Sequence, residues 1–325
     1  MPKVNLVTAL NMALDAGMAK NPKMVIMGED VGREGGVFRV TDTLQGKYGE
    51  GRVIDTPLSE AGIVGTAIGL AAGGMLPVCE IQFDGFIYLA LDQICNQMAR
   101  FRTRSRGGYE LRMVVRIPWG GGIRAPEHHS ESPEAVLVNT PGLTVVIPST
   151  PYDAKGLLTS ALRHPDPVIF CEPKRIYRAI KEEVPDEEYT VPIGVANVVR
   201  EGTDITFVAW GAMVREAARA ADELAAEGVS AEIVDLRTLS PMDSVTVVES
   251  VKKTGRLVVV QEAPRSCGVG AEVAARVCED ALTSLLAPIE RVTGYDAVTP
   301  LFKLEDRYFP DAAKILTAAR RAMKF

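Results

Sequence analysis

The feature that most limits how this chain can fold is a repeated alternation of short β-branched runs with longer helix-patterned stretches. In the first half such runs fall at residues 24–27, 76–81, 113–117, 144–147 and 168–171. This is the sequence form of parallel strands joined by crossover helices, with helices covering both faces of the sheet. At 325 residues the chain exceeds the size at which one hydrophobic core stops growing, so two such units are expected.

The division is expected in the acidic stretch Lys-Glu-Glu-Val-Pro-Asp-Glu-Glu-Tyr at residues 181–189, which Pro185 interrupts and which suits an exposed connector. Beyond it the alternation restarts, with strands expected at 205–210, 231–236, 257–260 and 289–292 and a helix at 214–227. Each of these strands but the last is followed by a recognisable helix. The expected fold is therefore α/β, as two three-layer domains covering residues 1–185 and 186–325. A helix expected over residues 59–73 is rich in Gly and Ala, including Ala61, Gly62, Gly65, Ala67, Gly69 and Ala71. Small side chains let its backbone come close to neighbours or a ligand, and it is expected to be buried.

Composition excludes several classes of function. Hydrophobic residues at 47% and charged residues at 24% describe an ordinary globular protein rather than a disordered one. A net charge of -6 argues against nucleic-acid binding, which needs a positive surface to neutralise phosphates. One basic cluster, Arg100, Arg102, Arg104 and Arg106, reads either as a solvated helix end or as a docking surface for an acidic partner. Five widely spaced cysteines with no C-x-x-C pair indicate neither a disulfide framework nor a zinc site. The N-terminus lacks a signal pattern and no apolar run reaches the roughly 18 residues of a membrane helix, so a reducing, cytoplasmic location is expected.

Candidate chemistry gathers at a few places. Residues 117–134 read Ile-Pro-Trp-Gly-Gly-Gly-Ile-Arg-Ala-Pro-Glu-His-His-Ser-Glu-Ser-Pro-Glu and follow neither helical nor strand periodicity. Long irregular segments in compact domains are often functional. A helix is expected at the segment's end, with Ser132 as N-cap and Pro133 in the first helical position. Of three histidines, His128 and His129 stand together just before that cap, as satisfied loop residues or as proton-transfer groups. The Gly-rich loop favours proton transfer, and a metal site from His128, His129 and Glu131 is the weaker reading because no further ligand cluster accompanies them.

Glu60 opens the Gly/Ala-rich helix. A carboxylate there is ordinarily just favourable with the helix dipole, but at the mouth of a buried helix it can have a raised pKa and share a proton with a ligand. The stretch Gln82-Phe83-Asp84-Gly85-Phe86-Ile87-Tyr88 follows a strand, as does Glu29. Core packing would explain the aromatics alone, yet open α/β sheets bind ligands at the ends of strands. Gly268-Val269-Gly270 imitates a dinucleotide fingerprint but lacks the third glycine, and Val273 stands there instead. No phosphate-binding P-loop and no G-x-S-x-G nucleophile elbow are present.

Several of these segments together resemble one family. They are Gly28-Glu29-Asp30-Val31-Gly32, residues 52–60 (Arg-Val-Ile-Asp-Thr-Pro-Leu-Ser-Glu), the aromatic stretch leading to Asp92-Gln93-Ile94, and His128-His129-Ser130. The likeness continues through Glu172-Pro173-Lys174-Arg175, Asp235-Leu236-Arg237-Thr238 and Glu262-Ala263-Pro264-Arg265, so it spans nearly the whole chain. The family is the β subunit of the decarboxylating component of 2-oxoacid dehydrogenase complexes.

The resemblance implies a transketolase-like plan, with an N-terminal domain receiving the aminopyrimidine of thiamin diphosphate and a C-terminal domain used mainly in assembly. It also implies that Glu60 hydrogen-bonds a pyrimidine ring nitrogen and promotes the imino tautomer, and that His129 serves the active site and acyl transfer to lipoyl groups. Glu29, Leu58, Ser59, Gln82 and Phe86 would then border the cofactor. Phe83, Asp84, Gly85, Phe86, His128, His129, Ser130 and Glu131 would border the 2-oxo acid.

The family's diphosphate and Mg²⁺ motif, Gly-Asp-Gly followed later by Asn, is absent from this chain. The resemblance places it on a separate α subunit, in an α2β2 heterotetramer serving a lipoyl acyltransferase core, with no metal held here. The wording around Pro126–Glu134 and Glu172–Arg178 looks most like branched-chain 2-oxoacid or archaeal-type members. The alternatives are pyruvate dehydrogenase, acetoin as a weaker substrate choice, or a non-catalytic assembly subunit of the same fold.

Overall fold

The computed structural model describes residues 1–325. Two large sheets organise it. The first has seven strands, in the order Thr238–Ser240, Thr144–Val146, Val168–Pro173, Val114–Trp119, Leu76–Glu80, Met24–Gly28 and Val53–Asp55. All neighbours are parallel except Thr238–Ser240, which is an antiparallel edge. The second has five strands, in the order Glu290–Gly294, Leu257–Pro264, Ile205–Ala209, Ala231–Asp235 and Asn197–Arg200. Again only one edge, Asn197–Arg200, is antiparallel.

The central strands are buried along their whole length, as a sheet with helices on both faces requires. Successive residues of a strand point to opposite faces, so Phe207 joins one buried apolar cluster and Val208 the other. Each cluster draws residues from both halves of the chain, which ties the two sheets into one packed body. The flanking helices are locally well specified. Asn5 caps Leu6–Lys20 by accepting from the Thr8 N–H, and Thr150 caps Pro151–Arg163 with Pro151 in the first turn.

Four features depart from the expectations above. Thr238–Ser240, well past the acidic stretch, crosses back to pair with Thr144–Val146 in the first sheet. The stretch itself is tied down: Glu182–Glu183 pairs with Lys3–Val4, Val184 is buried, and Lys155 donates to the backbone oxygens of Pro185, Asp186 and Glu187. The last strand is also followed by a helix, Ala312–Ala322, capped by Asp311. The helix Glu60–Ala72 is only half-buried: Ile63, Val64, Ala67, Ile68 and Ala71 face inward while Ala61, Gly62, Thr66 and Gly69 are exposed. Its small residues make a flat outer face rather than a fully enclosed helix.

Inside the first sheet lies a charged network. Arg116, fully buried, donates to both oxygens of Glu172 at 2.6 and 2.9 Å and to Glu80 at 2.8 Å. The Tyr177 hydroxyl donates to Glu172 at 2.7 Å. Burial pushes Glu80 up to about 7 even though Arg116 pulls it down.

Candidate active site

Four adjacent parallel strands, Val114–Trp119, Leu76–Glu80, Met24–Gly28 and Val53–Asp55, end on one side of the sheet. The segments that leave those ends carry the residues singled out in the sequence, so the topology alone brings them to one edge.

After Val53–Asp55 the chain turns through Thr56 to Ser59, and Ser59 caps the next helix by accepting from Gly62 N–H. Glu60 follows as the first helical residue and is 3% exposed, whereas Leu58, two residues earlier, is 77% exposed. Glu29 leaves the neighbouring strand end half-buried, and its Oε1 is buried without a hydrogen-bond partner. Burial, then the nearby negative charges of Glu60 and Asp30, raise the Glu29 carboxyl above its usual range. Gln82 donates to Asp30 at 3.1 Å. Behind Glu29 stands Glu80 of the buried network.

The aromatic segment and the histidine loop meet. The His129 ring lies 4.3 Å from Phe83 and 5.1 Å from Phe86, centroid to centroid, and its Nδ1 is 2.7 Å from Glu127 O. Gly85 makes this approach possible: a Cβ there would sit 2.1 Å from the His128 carbonyl oxygen. His128 itself adopts φ 65°, a conformation uncommon outside glycine. His128 is exposed and His129 half-buried.

Not every expected substrate-facing residue lies on the open surface. Asp84 is fully buried beneath the segment, paired with the equally enclosed Lys174 at 2.6 Å. Burial raises Asp84 to about 6 and lowers Lys174. Gly85 and Ser130 are buried too, and Ser130 Oγ has no hydrogen-bond partner. Asp84 and Lys174 act from below, as a fixed base on which Phe83 rests with Lys174 Nζ 5.4 Å from its ring.

The helix after the loop begins one residue later than expected. It is Glu134–Val138, with Pro133 rather than Ser132 at the cap, and Ser132 Oγ is unpartnered. Glu134 is fully buried; Trp119 Nε1 donates to its Oε2 at 3.2 Å. Burial pushes Glu134 up to about 8. A carboxyl whose folded pKa is raised from 4.5 binds more protons in the native than in the unfolded state between those values, so its contribution to stability falls as pH rises from about 4.5 to about 8. Glu134→Gln, which stays neutral, is expected to flatten that part of the stability profile; urea melts between pH 5 and 9 with unchanged slope would show that Glu134 does not titrate there.

The glycine pair resembling a dinucleotide fingerprint is filled from within. Gly270 N–H donates to the Gln261 side chain at 2.7 Å, and a Cβ at Gly268 would lie 2.0 Å from the same side chain. Of the basic cluster, Arg102 pairs with Asp166, Arg104 donates to Gln97 and Arg100 to Cys95 O. No three His, Cys, Asp or Glu side chains gather closely enough to hold a metal ion. No helix is long and apolar enough to cross a membrane. A groove of about 780 Å³ between residues 135–140 and 267–276 is lined by none of the candidate side chains.

Buried charged residues to which the sequence assigned no individual role include Glu80, Arg116, Glu134, Glu262 and Glu305. Their one local signal is a charge inside or directly after an otherwise apolar strand, as at Glu80, Arg116 and Glu262.

Comparison with known proteins shows the family and the fold. A family model described as "Transketolase, pyrimidine binding domain" matches residues 2–180, and one described as "Transketolase, C-terminal domain" matches residues 194–315. The fold and its strand-end site thus define a two-domain α/β protein of the transketolase type. A pyruvate dehydrogenase E1 component subunit beta from Acholeplasma laidlawii is 53% identical over 324 residues, covering 100% of this chain and 99% of that one. The protein of the same name from Bacillus subtilis (strain 168) is 48% identical, with both chains fully covered. A solved split-gene transketolase, described as an inactive beta4 tetramer, superposes with a TM-score of 0.81 at 24% identity over 99% of both chains, a likeness of fold alone. The chain belongs to the family of E1 β subunits of 2-oxoacid dehydrogenases, a thiamin-diphosphate-dependent family.

Proposed function

We propose that this chain is the β subunit of a pyruvate dehydrogenase, working in the cytoplasm within an α2β2 heterotetramer that decarboxylates pyruvate and passes the acyl group to the lipoyl groups of an acyltransferase core. The observation that carries the reading is that buried Glu60 stands near enough to Glu29 to raise its pKa, while Glu29 keeps a buried oxygen without a partner and Leu58 close by in the chain is uncovered. A buried polar atom without a partner is costly and is expected to meet one in the complete site.

The pyrimidine end of thiamin diphosphate fits this donor set. Glu60 would accept or supply a proton at a pyrimidine ring nitrogen, and Glu29, with its raised pKa, would meet a polar edge of the same ring. Leu58, Ser59, Gln82 and Phe86 would frame it. When bound, the cofactor supplies the carbanion stabilisation that decarboxylation needs, while the chain supplies orientation and proton placement. Because the Gly-Asp-Gly…Asn motif for the diphosphate and Mg²⁺ is absent from the sequence, we assign both to the α subunit. His129, held between Phe83 and Phe86, would handle a proton during acyl transfer, with His128, Ser130 and Glu131 beside it. The two-domain division at residue 185 belongs to this reading, with Thr238–Ser240 as the one strand that crosses it.

The wording of the sequence favoured a branched-chain substrate; the relatives named above support pyruvate instead. One methylene is worth about 1–3 kcal/mol in an apolar pocket, so the preference should be measurable. With a reconstituted α partner, kcat/KM for pyruvate is expected to exceed that for 3-methyl-2-oxobutanoate, and the reverse order would return the branched-chain assignment. In the same assembly His129→Ala is expected to slow acylation of a free lipoyl domain by about 10²-fold or more. Undiminished acylation would make His129 a structural loop residue.

A further inference from the structure

The loop that carries His128 and His129 is gripped from the far half of the chain. Gly121 N–H donates to Glu262 Oε2 at 3.0 Å and Gly122 N–H donates to Glu305 Oε1 at 2.5 Å. Both carboxylates are 2% exposed; Glu262 lies in the strand Leu257–Pro264, and Glu305 begins the short helix Glu305–Tyr308. Farther along the loop, the Thr299 hydroxyl donates to Ser130 O at 3.3 Å, and Arg124 pairs with Asp306 at 2.9 Å.

The grip falls on three consecutive glycines, the residue type with the most backbone freedom to lose. A Cβ at Gly120 would stand 2.5 Å from Glu262 Oε2, and one at Gly121 would stand 2.1 Å from the Phe309 ring. Gly120 and Gly122 have φ of 76° and 87°, so close approach and conformation both call for glycine. A flexible neck is thus met by two buried side-chain acceptors, each of which takes a backbone N–H that would otherwise be left without a partner. At the other end of the loop, the His128 carbonyl rests on Gly85 and the His129 ring on Phe83 and Phe86. Between these anchors the loop is also closed on itself, Gly120 N–H donating to Glu131 O at 3.1 Å, and is tethered at Arg124 and Ser130 by the contacts given above.

We propose that Glu262 and Glu305 are positioning residues for the reaction: by holding the glycine neck they set where the His129 ring stands over the aromatic segment. The second half of the chain is then part of the working apparatus of the site, beyond any role in assembly. This rests on the role given above to His129, and the variants below separate the two.

Hydrogen–deuterium exchange and steady-state kinetics are compared for the chain assembled with an α subunit, in wild type, Glu305→Ala, Glu305→Asp, Glu305→Gln, Glu262→Gln, His129→Ala and the His129→Ala/Glu305→Ala double variant. Loss of the Glu305 carboxylate is expected to speed exchange at residues 120–132 by about ten-fold or more. It is also expected to lower kcat for lipoyl acylation by about 10- to 100-fold with little change in KM, as small misplacements of a reacting group do. Glu305→Gln, which keeps an acceptor oxygen, should recover most of the rate, and Glu262→Gln should behave likewise. The double variant should be little slower than His129→Ala alone, since there is no imidazole left to misplace.

Should Glu305→Ala fail to assemble, the shorter Glu305→Asp takes its place, with a looser loop and a lower kcat expected. Unchanged exchange in the loop, or full kcat with a loosened loop, overturns the proposal. An impaired His129→Ala beside fully active Glu305 variants removes the positioning role alone, whereas a fully active His129→Ala removes the role of His129 on which it rests.

Discussion

Replacing Glu60 by glutamine in the assembled enzyme is expected to reduce decarboxylation by about 10²- to 10⁴-fold, the range a positioned acid or base contributes. The substitution keeps size and one acceptor oxygen but removes the carboxylate that we propose exchanges a proton with the cofactor. Its surroundings make it a clean test: Glu60 is buried at a helix start capped by Ser59, so the amide can occupy the same place without rebuilding the helix. Glu29 lies close enough for the two charges to repel, so the glutamine variant should also let Glu29 ionise more readily. Activity should therefore fall at every pH from 6 to 9 rather than recover on one side, and a near-normal rate would remove Glu60 from the chemistry.

The largest effect on stability is expected from Arg116→Met. The guanidinium holds Glu80 and Glu172 in a place with no access to water, and Tyr177 adds a hydrogen bond to Glu172. Removing the cation leaves two carboxylates buried together, and breaking such a group by deleting one partner costs about 3–5 kcal/mol. Because burial already holds Glu80 near 7, one proton can be taken up to relieve part of the repulsion, so the variant should lose more stability at pH 8 than at pH 6. Glu80→Gln is the control: it removes a charge that the fold disfavours and should cost much less. Equal denaturation midpoints for wild type and Arg116→Met would show that the network contributes nothing to the fold.

Much of the architecture could be read from the sequence because strands covered on both faces must be continuously apolar, and those runs stand out at 24–27, 168–171 and 205–210. Edges were harder. Thr238–Ser240 is a three-residue strand lying three residues after Asp235, too short to carry a period, and its pairing with Thr144–Val146 depends on contacts nearly a hundred residues away. The outer face of Glu60–Ala72 was misjudged for a related reason: Gly and Ala permit close approach but do not say whether this chain or another makes it.

At the candidate site, Glu60, Glu29 and the histidine pair could be found because each sits where a strand or loop ends in polar residues. The buried supports could not. Glu134, Glu262 and Glu305 earn their positions through distant partners, and a lone acidic residue beside an apolar strand looks the same whether it binds an amide inside or faces water outside. Asp84 illustrates the reverse error, a residue in the right segment whose side chain turns down to Lys174.

The central claim is that this polypeptide provides the pyrimidine side of the coenzyme site and depends on another for the pyrophosphate and its metal. It is tested most directly by measuring release of CO₂ from pyruvate by the purified chain supplied with thiamin diphosphate and Mg²⁺, before and after adding the α subunit. Turnover should be absent at first and appear on addition of the partner, whereas steady turnover by the chain on its own would contradict the claim.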